Sequence, residues 1–229
     1  MIKKISFIFI FFFFISEFSL AKIEKTNIGF TIDIPPNLVL VNRKNYEEVK
    51  KTVNYIPERR KKFLSDNEIK SIENNNEKVE AYLRLYEIGE YIIFGVIPVP
   101  PLNYLSHNIS FSKFDKMDFN KIESDKILLK NICREFLKQA QNKGDAMKNL
   151  KLDNCKIDKN KFKNLPQTIK VTYDLSKIPN ISKIYVNGLQ YEGYFFNFNN
   201  YSVYVELLSE KQNYHILDSQ LLNLVNSIK

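Results

Sequence analysis

Alternating apolar and polar residues predict most of the strands in this chain. Strict alternation over roughly four to eight residues indicates a strand with one buried face. The predicted strands are 28–34, 38–41, 79–86, 91–97, 108–114, 168–175, 183–186, 189–196 and 201–208. In the N-terminal half the clearest of these is 79–86, where Val79 and Leu83 fall on one side and Arg84 on the other. Asn187-Gly188 predicts a tight type I′ hairpin turn.

Apolar residues spaced by three and four positions predict the helices. A long central helix runs from about Asp118 to Asn142, and a helical insertion covers about 44–74. A C-terminal helix carries an apolar stripe at Leu217, Leu221, Leu224, Val225 and Ile228. Helices of this kind need a sheet on which to bury their stripes. We therefore expect an α+β fold: a single, mostly antiparallel sheet covered by the central and C-terminal helices, with the insertion after the first strands.

The first twenty-one residues have the three parts of a secretory signal peptide. These are the basic pair Lys3-Lys4, the apolar run Phe7–Ile15, and the small residues Ser19 and Ala21 before the cleavage point. The alternative is an uncleaved anchor, but a membrane-spanning helix needs about 20 apolar residues. We expect 1–21 to be removed and 22–229 to form one exported domain, periplasmic or secreted, in a bacterial host and without a transmembrane segment.

The chain is basic, with a formal net charge of +8. Its lysines are spread over 44–70, 113–130 and 148–163, without the glycines and aromatic residues that accompany nucleic-acid binding, so nucleic acid is not the expected partner. An AT-rich genome explains much of this composition. The functional alternative is attraction to an acidic protein, to an envelope surface, or to an anionic membrane through Lys44–Lys70.

Two cysteines, Cys133 and Cys155, are the candidate disulfide. In an oxidising compartment an even pair most simply forms a bridge. Cys133 lies on the predicted central helix and Cys155 on the segment that returns from it. Closing this loop stabilises by roughly 3 kcal/mol in the chain-entropy treatment. Two buried thiols remain the alternative.

The sequence offers no motif that defines a reaction. Its two histidines, His107 in a predicted loop and His215 at the start of the last helix, form no ligand cluster with cysteines or carboxylates. A nucleophile–base pair of Cys133 with His215 is conceivable, but Cys133 lies in an apolar stripe. We therefore assign no catalytic, cofactor-binding or metal-binding residue, and we expect no cofactor.

Carboxylates and tyrosines on the predicted strands are the remaining candidates. The carboxylates are Glu87, Glu90, Glu192 and Glu206; the tyrosines are Tyr82, Tyr86, Tyr191, Tyr194, Tyr201 and Tyr204. Paired carboxylates could cleave a glycosidic bond, but carboxylates that alternate with apolar residues usually form the solvated face of a sheet. The tyrosines could line a binding groove, although packing beneath the helices is the expected arrangement.

The opening strand Gly29-Phe30-Thr31-Ile32-Asp33-Ile34-Pro35 resembles that of PsbP/Mog1-like α/β/α sandwich proteins. The closing stretch, from Gly193-Tyr194-Phe195-Phe196 through Tyr201–Leu208 to the final Leu224–Lys229, resembles their last strands and helix. The resemblance implies a fold used for binding or assembly. It carries over no functional residue, and the segment 41–78 is longer and more helical than the family pattern.

These observations favour an exported, non-catalytic binding or accessory protein of the cell envelope. It would dock an envelope partner through its sheet face or its helical insertion. Two alternatives stay open: an exported hydrolase whose site is assembled from distant residues, and a protein bound peripherally to anionic membrane.

Overall fold

A computed structural model describes residues 21–54, 61–62, 65–74, 77–95, 107–142, 145–175, 178 and 188–229. The signal segment through residue 20, the strand predicted at 183–186 and Asn187 of the predicted turn lie outside these ranges. No described helix is both long enough and apolar enough to cross a membrane.

Strands and helices follow one another in groups along the chain. The strands are β1 (Lys22–Lys25), β2 (Thr31–Ile34), β3 (Leu38–Leu40), β4 (Glu90–Gly95), β5 (Asn108–Asp115), β6 (Lys151–Asp158), β7 (Thr168–Asp174), β8 (Leu189–Phe198) and β9 (Tyr201–Glu210). The α-helices are α1 (Tyr46–Asn54), α2 (Asp66–Asn74), α3 (Glu77–Glu87), α4 (Phe119–Ser124), α5 (Lys126–Gln141) and α6 (Tyr214–Ser227).

Seven strands form one antiparallel sheet in the order β3-β4-β5-β9-β8-β7-β6. β1 and β2 form a separate antiparallel pair. The two longest pairings join β5 to β9 and β9 to β8, so the centre of the sheet is built mainly from the C-terminal half of the chain. The predicted α+β fold with one mostly antiparallel sheet is confirmed.

One face of the sheet is covered by α6 and the β1–β2 pair. The apolar stripe of α6 is buried there against β4, β5, β8 and β9. The C-terminal residue also takes part, because the backbones of Thr31 and Lys229 exchange two hydrogen bonds of 3.0 and 3.1 Å. The start and the end of the described domain are therefore held together on this face.

The opposite face is covered by two groups of helices. Over β7, β8 and β9 lie α4 and α5, which bury Phe119, Ile122, Phe136 and Ala140. Over β3 and β4 lie α1 and α3, which bury Val49, Val79 and Leu83. Helices on both faces of one sheet make a three-layer sandwich, in which each helix buries its apolar side against the sheet.

The strand predicted at 79–86 is wrong, because this segment belongs to α3. Val79 and Leu83, one helical turn apart, are buried, whereas Ala81 is exposed. A spacing of four residues agrees with the two-residue period of a strand and also with the 3.6-residue period of a helix. The two patterns are then hard to distinguish when small or amphipathic residues lie between the apolar positions. The strong helix formers Glu, Lys, Ala, Leu and Arg in this segment favour the helix. The helical insertion thus extends beyond 74, to Glu87.

The predicted central helix is two helices with a break at Asp125. The backbone of Asp125 is extended (φ −116°, ψ 97°), and its carboxylate accepts hydrogen bonds from the N–H groups of Ile127 and Leu128. Asp125 ends α4 and caps α5, since such a short acidic side chain satisfies the free N–H groups of a helix start. Cys133 of α5 is bridged to Cys155 of β6 with a Cα–Cα separation of 6.0 Å, as predicted.

Candidate functional site

The four candidate carboxylates lie in different surroundings. Glu87 is at the surface at the end of α3, where it pairs with Arg43. Glu90 begins β4 and is half-buried. Glu192 is 0% exposed and Glu206 is 5% exposed. The expectation of a solvated carboxylate face is therefore wrong for Glu192 and Glu206, because helices cover both faces of the sheet at these positions.

Glu192 and Glu206 project from opposite faces of the sheet. In the β8–β9 register, Glu206 is opposite Gly193, whereas Glu192 is opposite Leu207. Directly opposed residues share a face, and neighbours along a strand alternate. Two carboxyl groups that act on one glycosidic bond lie on either side of that bond, roughly 5 to 10 Å apart. With the sheet between them, Glu192 and Glu206 do not form such a pair.

The Glu192 carboxylate is the centre of a buried polar cluster. Its Oε1 accepts hydrogen bonds from the hydroxyls of Tyr194, at 3.0 Å, and Tyr214. Its Oε2 receives no well-directed hydrogen bond but lies 2.9 Å from Lys170 Nζ, so an ion pair compensates the second oxygen. Burial, followed by the nearby Glu192 charge, raises the pKa of Tyr194. Tyr194 is therefore a neutral donor at neutral pH.

A second ion pair extends the cluster to α6. Lys161 pairs with Asp218, whose carboxylate also accepts a hydrogen bond of 3.3 Å from Tyr214. The ammonium groups of Lys161 and Lys170 lie 5.5 and 5.4 Å from the centre of the Tyr194 ring. Two carboxylates and two ammonium groups balance in charge here and tie β7 and β8 to α6. Each carboxylate of the cluster therefore has an ammonium partner, and this pairing is enough to explain why the charges are buried.

We expect Lys170→Met to lower the free energy of unfolding by about 3 kcal/mol. The substitution keeps the length of the apolar stem but removes the ammonium group, which leaves the Glu192 carboxylate buried with two hydroxyl donors. Breaking a buried ion pair from one side costs about 3–5 kcal/mol, and the 26% exposure of Lys170 places the loss at the low end. Urea unfolding at neutral pH measures it.

Lys159→Met is the matched control. Lys159 pairs with Glu123, but these side chains are 54% and 44% exposed, so the loss should stay below about 1 kcal/mol. Equal losses in the two variants would contradict a stabilising role for the buried cluster.

On the other face, Glu206 lies among hydroxyl groups. It accepts hydrogen bonds from Tyr191 and, at 3.1 Å, from Ser110. The hydroxyls of Tyr173 and Tyr204 are 3.0 Å apart beside this group. Burial raises the pKa of Tyr191 and Tyr204 well above the usual value for tyrosine. These phenols stay protonated at neutral pH and act as hydrogen-bond donors.

The tyrosines divide into two sets. Those on β8 and β9 are buried beneath the helices, as expected, and they are Tyr191, Tyr194, Tyr201 and Tyr204. Tyr82 and Tyr86 are on α3, so their predicted place on a strand is wrong. No described tyrosine of the first set lines an open groove, since each is at most 7% exposed.

The histidine and cysteine candidates do not meet. His107 is fully buried before β5, and its Nε2 is 3.3 Å from the side-chain amide of Asn213. His215 is exposed on α6. The sulfur of Cys133 is committed to the disulfide, which removes the nucleophile of the Cys133–His215 alternative. Among the described residues, no three His, Cys, Asp or Glu side chains are grouped as metal ligands.

Helix α5 presents a line of basic side chains to solvent. Lys126, Lys130, Arg134 and Lys138 follow one another at every fourth position, and all four are exposed. We call these four residues the basic stripe. Residues four apart are neighbours on a helix surface, so the charges form one continuous line. The four-residue spacing of these cations is visible in the sequence, but the prediction of this helix rested on its apolar side.

The charges of the basic stripe are largely uncompensated. Lys138 pairs with Glu135 at 2.8 Å, whereas Lys126, Lys130 and Arg134 have no ion-pair partner within the described ranges of the chain. Ile127, which is 73% exposed, lies among them. A line of free cations around an exposed apolar side chain is a surface suited to an acidic partner.

The helices of the insertion differ from α5 in charge. α1 has two acidic and two basic residues, α2 has three acidic and one basic, and α3 has three acidic and two basic. α5 has four basic residues and one acidic residue. The excess positive charge thus lies on α5 and not on the described helices of the insertion.

Helices on both faces of one antiparallel sheet place this protein in the class of α/β/α sandwiches. Two solved structures are similar to it in fold. One is the solution structure of cyanobacterial PsbP (CyanoP) from Synechocystis sp. PCC 6803, with a TM-score of 0.45, 10% identity and 92% of each chain covered. The other is a mutant of the protein Mog1, with a TM-score of 0.43, 8% identity, and 91% of this chain and 95% of that chain covered.

The opening strand and the closing stretch of this chain resemble those of PsbP/Mog1-like proteins, and these two structures carry the same names. The likeness concerns the fold alone. No family model and no curated protein matches the sequence.

Proposed function

We propose that this protein is an exported accessory protein of the cell envelope that binds an acidic partner through the basic stripe of α5. The observation that carries the proposal is the stripe itself: four exposed cations in line, three of them without a carboxylate partner in the described ranges. A surface of this kind raises the local concentration of acidic partners and accelerates their association.

Export is supported by two features that agree. The N-terminus has the composition of a cleavable signal peptide. The bridge between Cys133 and Cys155 is of the kind that persists in oxidising compartments and is rare in a reducing cytosol. The mature protein would begin near Lys22, at the start of β1.

Charge balance is our reason for proposing the stripe, and not Lys44–Lys70, as the contact surface. In the described helices α1, α2 and α3, carboxylates equal or outnumber the basic residues. Pairs such as Arg43 with Glu87 and Lys61 with Glu73 neutralise part of the remaining charge. The stripe on α5 keeps its charge, so it supports electrostatic docking better than the described helices α1, α2 and α3 do.

We expect the double variant Lys130→Glu/Arg134→Glu to bind the envelope at least tenfold more weakly than the unaltered protein. It reverses two neighbouring charges of the stripe, and a tenfold change corresponds to about 1.4 kcal/mol. The measurement is co-sedimentation of the signal-cleaved protein with an isolated envelope fraction, in low salt and again in high salt. Raising the salt should release the unaltered protein, because exposed charges are screened.

Lys44→Glu/Lys51→Glu is the matched control, because it changes the net charge by the same amount at exposed positions of the insertion. We expect this control to bind normally, and thermal unfolding should show that both variants are folded. Equal weakening by the two pairs would mean that net charge matters and that the stripe does not. Weakening by the control alone would restore the insertion as the contact surface.

A further inference from the structure

Strand β6 is a long, open edge of the seven-stranded sheet. Within the described chain it pairs with β7 alone, and none of its eight residues is buried. The opposite edge, β3, has three residues, and all of them are buried. An open edge leaves a row of backbone N–H and C=O groups able to pair with another chain. Of the two edges of this sheet, β6 is the one accessible to a partner.

The disulfide places the basic stripe above this edge. On α5, Phe136 faces the middle of the sheet, where its ring stacks on Phe195 at 3.9 Å between centroids. Cys133, which is further round the helix, is bonded to Cys155 on β6. Continuing in the same direction round the helix leads to Lys130 and then Arg134. Lys130 therefore lies on the β6 side of α5, and Arg134 lies next to it on the side toward solvent.

The charges on β6 itself balance, because its two lysines are matched by two aspartates. Lys151 and Lys156 are exposed on the strand. Both carboxylates of β6 accept hydrogen bonds from within the molecule. Asp153 accepts one of 3.3 Å from the Thr172 hydroxyl, and Asp158 accepts two from the backbone N–H groups two and three residues further along the chain. The edge thus combines open backbone groups with the basic stripe on the adjacent α5, whereas Lys156 points to the face of the sheet opposite α5.

We propose that β6 receives an extended acidic segment of a partner protein, which adds to the sheet as an eighth strand. This inference rests on the proposed function and names the class of its partner. Backbone hydrogen bonds would supply affinity, and carboxylates on one face of the segment would meet Lys130 and, beyond it, Arg134. A second copy of β6 is a poor occupant, because antiparallel pairing of two β6 edges would bring two basic stripes together on the same face of the joined sheet.

The geometry of β6 limits where the added strand pairs. The register between β6 and β7 shifts between Leu152 and Asn154, which marks a bulge at Asp153. A bulge bends the strand and interrupts its ladder. The regular part of the edge is therefore 154–158, and new hydrogen bonds should be confined to it.

Amide hydrogen exchange, residue by residue, tests this placement. The probe is a capped eight-residue peptide of alternating Glu and Val, with a Lys–Val peptide of the same length as control, added to the signal-cleaved protein. We expect the acidic peptide to slow amide exchange at least tenfold at alternate residues within 154–158. Only every second residue of an edge strand directs its backbone N–H away from the sheet, toward an added strand. The Lys–Val peptide should not slow exchange. The variant Lys130→Glu/Arg134→Glu should bind the acidic peptide at least tenfold more weakly than the unaltered protein.

The outcomes separate this inference from the proposed function. Binding of the acidic peptide through the stripe, without protection of the β6 amides, would overturn strand addition and leave the proposed function standing. Absence of peptide binding, with stripe-dependent binding to vesicles containing anionic phospholipid, would overturn it in favour of a membrane surface. If Lys130→Glu/Arg134→Glu leaves envelope binding unchanged, the proposed function fails, whatever the peptide does.

Discussion

We expect Gly193→Ala to lower the free energy of unfolding by about 3 kcal/mol, although it adds a single methyl group. A Cβ at this position would overlap the phenol of Tyr204, which lies across the glycine from the neighbouring strand. That ring cannot move easily: it stacks on Phe195 at 4.2 Å and on Phe136 at 5.7 Å, and its hydroxyl is 3.0 Å from that of Tyr173.

Two costs add in this variant. Overpacking a filled core costs about 1–3 kcal/mol, and losing a buried hydrogen bond costs about 1 kcal/mol more. Chemical denaturation of the wild type and the variant gives the difference. Gly89→Ala is the control: its φ is +105°, but nothing lies within 4 Å of the added Cβ, so it should show only the backbone strain of about 1 kcal/mol.

A double-mutant cycle identifies the cause. In a Tyr204→Ala background the ring is absent, and Gly193→Ala should then cost less than about 1 kcal/mol. An undiminished loss in that background would show that Gly193 is required for its backbone and not for the space that Tyr204 occupies.

The sequence predicts the centre of the sheet well, because central strands bury alternate side chains. The strand expected at 108–114 is β5, Asn108–Asp115, and the strand expected at 201–208 is β9, Tyr201–Glu210. Both are held on both sides by other strands, and each contains a continuous run of buried residues. Where burial is that complete, the apolar pattern and the structure must agree.

The pattern fails at the edge of the sheet for a physical reason. β6 has few buried side chains, so selection for apolar residues is weak along it. The bulge at Asp153 also shifts the period, and the two side chains of β6 that pack toward α5 at this point, Leu152 and Cys155, are three residues apart instead of two. A spacing of three, followed by a spacing of two to Ile157, fits neither the strand period nor the helix period throughout.

The burial of Glu192 could not be predicted from its own strand. Its compensating groups are Lys170 on β7 and Tyr214 on α6, which are brought to it only by the folded topology. An alternating carboxylate looks the same in sequence whether water or a helix covers it. The basic stripe is the opposite case, since its four-residue spacing is local and becomes meaningful once the buried side of α5 is known.

The second large effect concerns the disulfide: Cys133→Ala/Cys155→Ala should lower the free energy of unfolding by about 3 kcal/mol. The bridge closes a loop across a sequence separation of 22 and so restricts the unfolded chain. For a domain of this size the loss corresponds to a fall in melting temperature on the order of 10 °C. Differential scanning calorimetry of the oxidised protein and the double variant measures it.

Reduction provides the internal control. Dithiothreitol should destabilise the wild type by the same amount and leave the double variant unchanged, since the bridge is then the only difference. The same variant also tests the link between fold and function, because the bridge fixes α5 over the β6 edge. If the stripe and the edge act together, acidic-peptide binding should weaken in the folded double variant at temperatures well below its transition. Unchanged stability on reduction would contradict the structural role of the bridge; unchanged binding would show that packing of Phe136 alone holds α5 in place.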